Sequence, residues 1–157
     1  EIMLHEDGSS RVDIGTPVFN AGVRIGGFNF LRVSVGNPHA IAFLESEEEV
    51  EALDLRDSGS QIEKNAVFPN GSNVEFVFVR GTSDLRMRIW ERGAGETLGS
   101  GTGSGAVAVA AIRLGLAKSP VSVHLDGGTV QIEWAGEGEP AYMTGPAEYV
   151  CEGRLIF

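Results

Sequence analysis

A glycine-rich stretch that leads directly into an apolar run constrains the fold of this chain more than any other feature. Residues 93–115 read GAGETLGSGTGSGAVAVAAIRLG. The apolar run, residues 106–117, contains a single charged residue, Arg113. A helix that is apolar nearly all round must be buried on most of its sides. We therefore expect a buried central helix over residues 103–116, with a curved sheet wrapped around it.

Alternating apolar and polar residues predict the strands of that sheet, each with one buried face. Turn residues at 80–84 and 126–128 are typical of hairpins, so the strands should pair mostly antiparallel. The predicted strands cover residues 11–19, 28–36, 73–80, 85–92, 121–126 and 129–135. With one further helix, the predicted class is α+β, and the 157 residues suffice for one domain with its own core.

The further helix is acidic and covers roughly residues 46–64. Ser46 is a plausible N-cap, and Glu47, Glu48 and Glu49 follow it in the first turn, where the helix dipole favours negative charge. We interpret this segment as a solvated surface helix.

Charge and composition exclude several classes of partner and site. The net charge is −10 without any cluster of Lys or Arg, which argues against nucleic acid or an anionic membrane surface. No apolar run approaches the roughly 20 residues needed to span a bilayer. The three histidines, His5, His39 and His124, are widely separated, so no metal site is predicted. The single cysteine, Cys151, excludes an internal disulfide, and we expect it to be a small buried side chain.

The glycine-rich stretch also predicts an anion site. Glycines before a helix leave backbone N–H groups free, and the helix dipole favours a carboxylate or phosphate there. No Lys follows the last glycine as in a P-loop, and Gly101, Gly103 and Gly105 do not have dinucleotide-fingerprint spacing. Tight packing of helix on sheet would explain the glycines equally well at this point.

Polar residues at the ends of predicted strands favour a ligand. Asn37 and His39 lie on a predicted turn after one strand, Asn73 begins another, and Glu91 and Arg92 end a third. A lone histidine is commonly a structural hydrogen-bonding residue. Together, however, amide, imidazole, carboxylate and guanidinium groups near an anion-binding loop are typical of an amino-acid site.

Four segments, taken in order, resemble the C-terminal half of diaminopimelate epimerase. They are GNPH (36–39), FPNGSNVEF (68–76), WERGAGETLGSGTGSGA (90–106) and GPAEYVCEG (145–153). The resemblance implies an isomerase that epimerises LL-diaminopimelate to the meso form without a cofactor, on the route to lysine and peptidoglycan. It also implies two similar α/β halves, with the active site in the cleft between them and one catalytic cysteine from each half.

The resemblance implies a role for each matching residue. Asn37, Asn73 and Arg92 would hold the distal amino-acid end of the substrate. His39 and Glu91 would assist proton transfer beside the catalytic sulfur. The N–H groups of Gly101 and Thr102 would bind the reacting carboxylate.

One position departs from the family pattern. Ser100 stands where the family has a catalytic cysteine, and a hydroxyl is far less acidic than a thiol, whose pKa is about 8.5.

The expected partners follow from the same resemblance. They are diaminopimelate and a missing N-terminal domain, which residues 149–157 would join as a strand. A second copy of the chain, forming a homodimer, is a further candidate partner. Because the chain starts at Glu1, we interpret it as a processed product or part of something longer, inactive alone and cytoplasmic. Two alternatives are a relative of proline racemase or hydroxyproline dehydratase, and a non-catalytic amino-acid-binding domain.

Overall fold

The structure, a computed structural model, describes residues 2–6, 8–148 and 150–156. Within these ranges the chain is α+β, with three helices and one sheet of eleven strands. The helices are α1 (Glu47–Ala52), α2 (Leu55–Glu63) and α3 (Gly101–Arg113). The strands are β1 (Ile2–Leu4), β2 (Ser9–Gly15), β3 (Val18–Ile25), β4 (Phe28–Ser34), β5 (Pro38–Phe43), β6 (Asn73–Gly81), β7 (Asp84–Glu91), β8 (Gly95–Thr97), β9 (Val121–Leu125), β10 (Gly128–Trp134) and β11 (Ala141–Pro146).

The sheet is mostly antiparallel, as the hairpin turns predicted. Its strands run in the order β1-β2-β11-β10-β9-β7-β6-β5-β4-β3, and β8 pairs with β7 off this path. Among the described strands, β5 with β6 and β7 with β9 are the parallel pairs. Both connections contain helices: α1 and α2 lie between β5 and β6, and α3 lies between β7 and β9. Parallel neighbours need such crossovers, because a tight turn can join only antiparallel strands.

The helix α3 is buried along most of its length. Every residue from Gly103 to Ala111 is buried, and α3 contacts the seven strands β4, β5, β6, β7, β9, β10 and β11. Small side chains permit this closeness: a Cβ on Gly103 would lie 2.8 Å from Cδ1 of Ile89 on β7. The lack of a polar face therefore predicted the burial of this helix correctly.

The bounds of α3 differ from the predicted 103–116. The helix begins at Gly101 because Ser100 is its N-cap, and the Ser100 hydroxyl accepts a hydrogen bond from the Gly103 N–H. It ends at Arg113, and Gly115 then adopts a φ of 72°, which side chains disfavour. The predicted anion site therefore lies at a helix N-terminus that Ser100 caps.

The acidic segment 46–64 forms two helices rather than one. Ser46 caps α1 as predicted, but Leu53 is extended with ψ of 129° and ends the helix. The Asp54 side chain then accepts hydrogen bonds from the N–H groups of Arg56 and Asp57, which starts α2. Val50, Leu55, Gly59 and Ile62 are buried against the sheet, so the segment packs on β6 and β7 instead of being solvated all round.

Three other predictions on the strands and the tail are wrong. The predicted strand 11–19 contains the junction of β2 and β3, where Gly15 has a φ of 88°. His39 lies within β5 rather than on a turn. Cys151 is exposed; residues 150–156 form neither helix nor strand, and no element of the described chain covers them. Tyr149 and Phe157 lie outside the described residues. Among the described residues, no helix has the length and apolarity to cross a membrane.

Candidate active site

The topology brings three strand ends to one edge of the sheet. β5 and β6 are parallel and begin at this edge, whereas β7 is antiparallel to β6 and ends there. Alternation along these strands directs His39, Glu75 and Glu91 to one face of the sheet. Apolar residues two positions further into the strands, Ile41, Val77 and Ile89, belong to the core that packs on α3. A polar layer therefore follows the apolar core at this edge.

A chain of hydrogen bonds connects this polar layer to the first turn of α3. Nδ1 of His39 lies 2.5 Å from Oε1 of Glu75, and Nε2 lies 2.9 Å from Oδ1 of Asn37. Nδ2 of Asn37 donates to the Thr102 hydroxyl at 3.3 Å. The side chains of His39 and Glu75 are both fully buried. A carboxylate, an imidazole, an amide and a hydroxyl thus form one continuous path.

Glu75 is the most unusual carboxyl of this site. Burial raises its pKa, the nearby charge of Glu91 raises it further, and the contact with His39 opposes both effects. Its second oxygen, Oε2, is buried and accepts no hydrogen bond from any described residue. A buried carboxylate oxygen without a partner is costly, so the environment favours a proton on this pair of side chains.

A second group lies on the other side of the first turn of α3. The Thr97 hydroxyl donates to Oε1 of Glu91 at 2.5 Å, and the Ser100 Oγ lies 3.5 Å from Oε2 of Glu91. The latter distance is at the limit for a hydrogen bond, so the two groups are neighbours that interact weakly. Glu91 and Ser100 are half-buried, and an open cavity of about 260 Å³ borders Ser100.

The Asn73 amide joins two of the chain segments that carry predicted site residues. Its Nδ2 donates to the Pro38 carbonyl at 3.0 Å, and its Oδ1 accepts from the Arg92 N–H at 2.9 Å. The Arg92 side chain is exposed and packs beside Gly71, with one N–H donated to the Asn70 carbonyl. The remaining guanidinium donors are available to a ligand.

The first turn of α3 offers free backbone donors. The Gly103 N–H donates to the Ser100 hydroxyl, and the Ser104 N–H donates to the Ser100 carbonyl. None of the described residues accepts a hydrogen bond from the N–H groups of Gly101 or Thr102. Such groups at a helix start, with the positive end of the dipole, can bind a carboxylate.

The structure thus places seven of the predicted site residues in three hydrogen-bonded groups. Asn37, His39 and Thr102 form one, Glu91 and Ser100 another, and Asn73 with Arg92 the third.

Two contributors were missed at the sequence level, Glu75 and Thr97. Glu75 could have been found, because alternation in β6 gives this charged residue the same inward face as Val77. Thr97 carries no comparable signal.

Comparison with known proteins gives the family. The family model described as diaminopimelate epimerase matches residues 31–150. The diaminopimelate epimerase of Desulfitobacterium hafniense is 47% identical over 144 residues, which are 90% of this chain and 50% of that protein. That of Ralstonia nicotianae is 42% identical over 98% of this chain and 60% of that protein. The chain therefore spans about half to three-fifths of the length of these relatives.

Solved structures show the same fold at low sequence identity. A phenazine biosynthesis protein of the PhzF family from Bacillus anthracis has a TM-score of 0.75 and 15% identity, covering 100% of this chain and 64% of that one. A hydroxyproline epimerase from Agrobacterium vitis has a TM-score of 0.59 and 15% identity, covering 88% of this chain and 50% of that one. On the family model and the curated relatives, this chain belongs to the diaminopimelate epimerase family.

Proposed function

We propose that this member of the family supplies one half of the active site of an epimerase, which converts LL-diaminopimelate to the meso form without a cofactor. The observation that carries the proposal is that two hydrogen-bonded groups reach the first turn of α3, one through Thr102 and one through Ser100. The third group, Asn73 with Arg92, adjoins them through the Pro38 carbonyl and through the residue after Glu91. These groups provide an imidazole, carboxylates, amides and a guanidinium beside free backbone donors. This inventory matches an amino acid that carries a second amino-acid end.

The domain arrangement is part of the proposal. Residues 1–157 form one domain, in which the sheet curls around α3; the contacts of α3 with seven strands support this. A second domain, outside this chain, closes the site and contributes the opposite catalytic cysteine. The exposure of Leu98, at 67%, beside Ser100 supports a cover at this position, since large apolar side chains usually gain from burial. The tail 149–157 joins that domain.

The reacting carboxylate binds to the N–H groups of Gly101 and Thr102. As a proton leaves the α-carbon, negative charge grows on the adjacent carboxylate. Donors already aimed at it stabilise the transition state more than the ground state. The free N–H groups and the dipole of the thirteen-residue helix support this role.

The proton transfer is assigned to position 100, with Glu91 and His39 assisting. A cysteine thiolate here would begin a helix, and helix N-termini lower thiol pKa values. The Ser100 hydroxyl has the position but not the acidity. Glu91 lies close enough to exchange a proton with this side chain, whereas His39 acts from the Asn37 side.

The distal end of the substrate is assigned to Asn37, Asn73 and Arg92. The Arg92 guanidinium is exposed and keeps donors suited to a carboxylate. The Asn73 amide keeps one N–H beyond its two structural bonds.

The test is to restore the thiol in the complete two-domain enzyme. Ser100→Cys should raise exchange of the α-proton in deuterated water by about 10² to 10⁴, the usual contribution of a positioned acid–base group. Binding of diaminopimelate, measured by calorimetry, should change little, because none of the proposed binding groups is altered. Ser100→Ala serves as the matched control and should exchange no faster than the serine form.

Two results would contradict the proposal. Equal exchange rates for the serine and cysteine forms would remove position 100 from the chemistry. Binding of diaminopimelate with no exchange in either form would favour an amino-acid-binding domain without catalysis.

A further inference from the structure

We propose that Glu75 is a positioning residue which, through His39 and Asn37, sets whether the Thr102 hydroxyl donates a hydrogen bond into the site. The inference rests on the proposed function, because it assumes that a substrate carboxylate binds at the first turn of α3. The carrying observation is the continuous path Glu75–His39–Asn37–Thr102 with its distances of 2.5, 2.9 and 3.3 Å.

The direction of each hydrogen bond follows from the Asn37 amide. In the orientation that the structure gives this amide, its oxygen faces Nε2 of His39, and this arrangement requires a proton on Nε2. Its nitrogen faces the Thr102 hydroxyl, so that oxygen accepts. The Thr102 hydroxyl hydrogen is then not used by Asn37 and can donate to a bound carboxylate. A third donor therefore joins the N–H groups of Gly101 and Thr102.

The same reasoning fixes the number of protons on the buried pair. With a proton on Nε2, Nδ1 of His39 either accepts from a protonated Glu75 or donates to an ionised one. Both descriptions place the same number of protons on the pair and leave it without net charge. The pair is therefore neutral whenever Asn37 has the orientation seen in the structure.

Loss of one proton would reverse the path. Neutral His39 would then donate from Nδ1 to the Glu75 carboxylate, and Nε2 would become an acceptor. Asn37 would turn its amide to donate to Nε2 and would present its oxygen to Thr102. The Thr102 hydroxyl would have to donate to that oxygen, and the substrate carboxylate would lose a donor.

The surroundings favour the orientation that keeps the proton. Oε2 of Glu75 is buried and has no partner among the described residues, and burial raises the pKa of this carboxyl. The charged groups that face Glu75 are His39 from β5 and Glu91 from β7, of which His39 lowers its pKa and Glu91 raises it. From Gly101 to Ala111, the facing stretch of α3 contains no charged residue.

Glu75→Gln separates this role from a merely structural one. A glutamine of the same shape can donate from its amide to Nδ1 of His39, as a protonated carboxyl does. It cannot lose that proton, and turning its amide over would leave both N–H donors at the buried Oε2 position, which has no hydrogen-bond partner among the described residues. The glutamine therefore favours the direction that leaves the Thr102 hydroxyl free. A structural role alone predicts lower stability and no change in pH dependence.

The first measurement is nitrogen NMR of His39 in the full chain labelled at its histidines. In the wild type, Nε2 should be protonated at the acidic end of the pH range and should lose this proton when the Glu75–His39 pair deprotonates. In Glu75→Gln, Nε2 should stay protonated over the whole range. An unprotonated Nε2 in the wild type at the acidic end, or the same behaviour in both proteins, would overturn the proposal.

The second measurement is calorimetric binding of diaminopimelate to the complete enzyme across the same pH range. The wild-type affinity should fall by about tenfold as the pair deprotonates, the effect of one charge-assisted hydrogen bond. The affinity of Glu75→Gln should stay constant. Glu137→Gln is the control, because Glu137 is exposed and pairs only with Arg113 among the described residues.

A pair of Thr102 variants keeps the test decisive if Glu75→Gln does not fold. Thr102→Val removes the hydroxyl and should abolish the pH dependence of affinity, whereas Thr102→Ser should retain it. Equal pH dependence in both would overturn the proposal. Failure of the proposed function gives a different result. If the enzyme neither bound nor epimerised diaminopimelate, the NMR measurement of His39 would still test the role of Glu75. If the enzyme were active but its affinity did not depend on pH, only the role of Glu75 would be rejected.

Discussion

Two glutamates on adjacent strands, Glu75 on β6 and Glu91 on β7, face the same side of the sheet but differ in depth. The Glu75 side chain is fully buried, with one oxygen on His39 and the other without a partner among the described residues. Glu91 is half-buried, and each of its oxygens faces a hydroxyl, that of Thr97 or that of Ser100. Strand position alone therefore does not decide what a carboxyl can do.

The difference fits the two proposed roles, proton transfer for Glu91 and positioning for Glu75. A side chain must touch the reacting group to transfer a proton; Glu91 lies beside position 100, whereas no hydrogen bond among the described residues joins Glu75 to α3. Pairs of carboxyls in unlike environments commonly take unlike roles in one active site. We therefore expect substitutions of the two glutamates to have effects of different kind and size.

The largest effect should come from Glu91→Gln in the complete enzyme with cysteine at position 100. Loss of a carboxylate that exchanges protons with the thiol should lower α-proton exchange by about 10² or more. Glu75→Gln in the same enzyme should change it by about tenfold at most and should not lower it, because glutamine leaves the Thr102 hydroxyl free to donate to the substrate. Glu96→Gln is the control, because Glu96 lies on β8 and pairs with Arg88. Equal losses of α-proton exchange in Glu75→Gln and Glu91→Gln would contradict the difference in role between the two glutamates.

A smaller effect is expected where α2 packs on β7, the strand that carries Glu91. A Cβ on Gly59 of α2 would lie 2.6 Å from Cβ and 2.7 Å from Cγ of Trp90, next to Glu91. These atoms are near the backbone and cannot turn away, so Gly59→Ala should lower the free energy of unfolding by about 1–3 kcal/mol. Gly81→Ala, where a Cβ meets nothing within 4 Å, is the matched control. Chemical denaturation measures both.

The same variant distinguishes the two glutamates. Trp90 donates from Nε1 to Glu63, and Glu63 also accepts from the Gly93 N–H, so displacement of Trp90 should reach the loop after Glu91. The His39 resonances should be unchanged, because no hydrogen bond among the described residues joins the Glu75 path to α2. Altered His39 resonances with an unaltered loop would contradict this separation.

Periodicity predicted the parts of the fold that depend on it. The apolar run after the glycines predicted a buried helix, and α3 is buried from Gly103 to Ala111. Hairpin turns predicted the antiparallel pairs β6–β7 and β9–β10. The parallel pair β5–β6 was not predicted, because pairing across a crossover depends on tertiary contacts and leaves no local pattern.

Local chemistry that competes with periodicity explains the errors. Asp54 caps α2 and so divides an otherwise continuous helical pattern. Pro38 indicated a turn at His39, yet it is the first residue of β5, a position at which a strand tolerates proline. Cys151 was expected to be buried from its residue type, although burial depends on a neighbouring element that the described chain does not supply.

The sequence indicates candidate site residues but not the hydrogen bonds between them. The polar residues at strand ends are visible in the sequence, whereas the contact between Glu75 on β6 and His39 on β5 is not. Glu75 had a signal, its inward register, and no partner could be assigned to it before β5 was known to lie beside β6.

The smallest expected effect is on stability, and it follows from the raised pKa of Glu75. Between the ordinary pKa of a glutamate, about 4.3, and its raised value in the fold, the folded chain binds more protons than the unfolded chain. The free energy of unfolding must then fall as the pH rises through this window. Below about pH 4 Glu75 is protonated in both the folded and the unfolded state, and its titration no longer lowers the free energy of unfolding. Glu75→Gln has no such titration, so its free energy of unfolding should rise relative to that of the wild type as the pH increases through this window. Urea denaturation at several pH values measures the difference, with the exposed Glu137→Gln as the control that should not diverge. A wild type that gains stability over Glu75→Gln as the pH rises would mean that His39 holds Glu75 ionised, and Glu75 would then resemble Glu91 in spite of its depth.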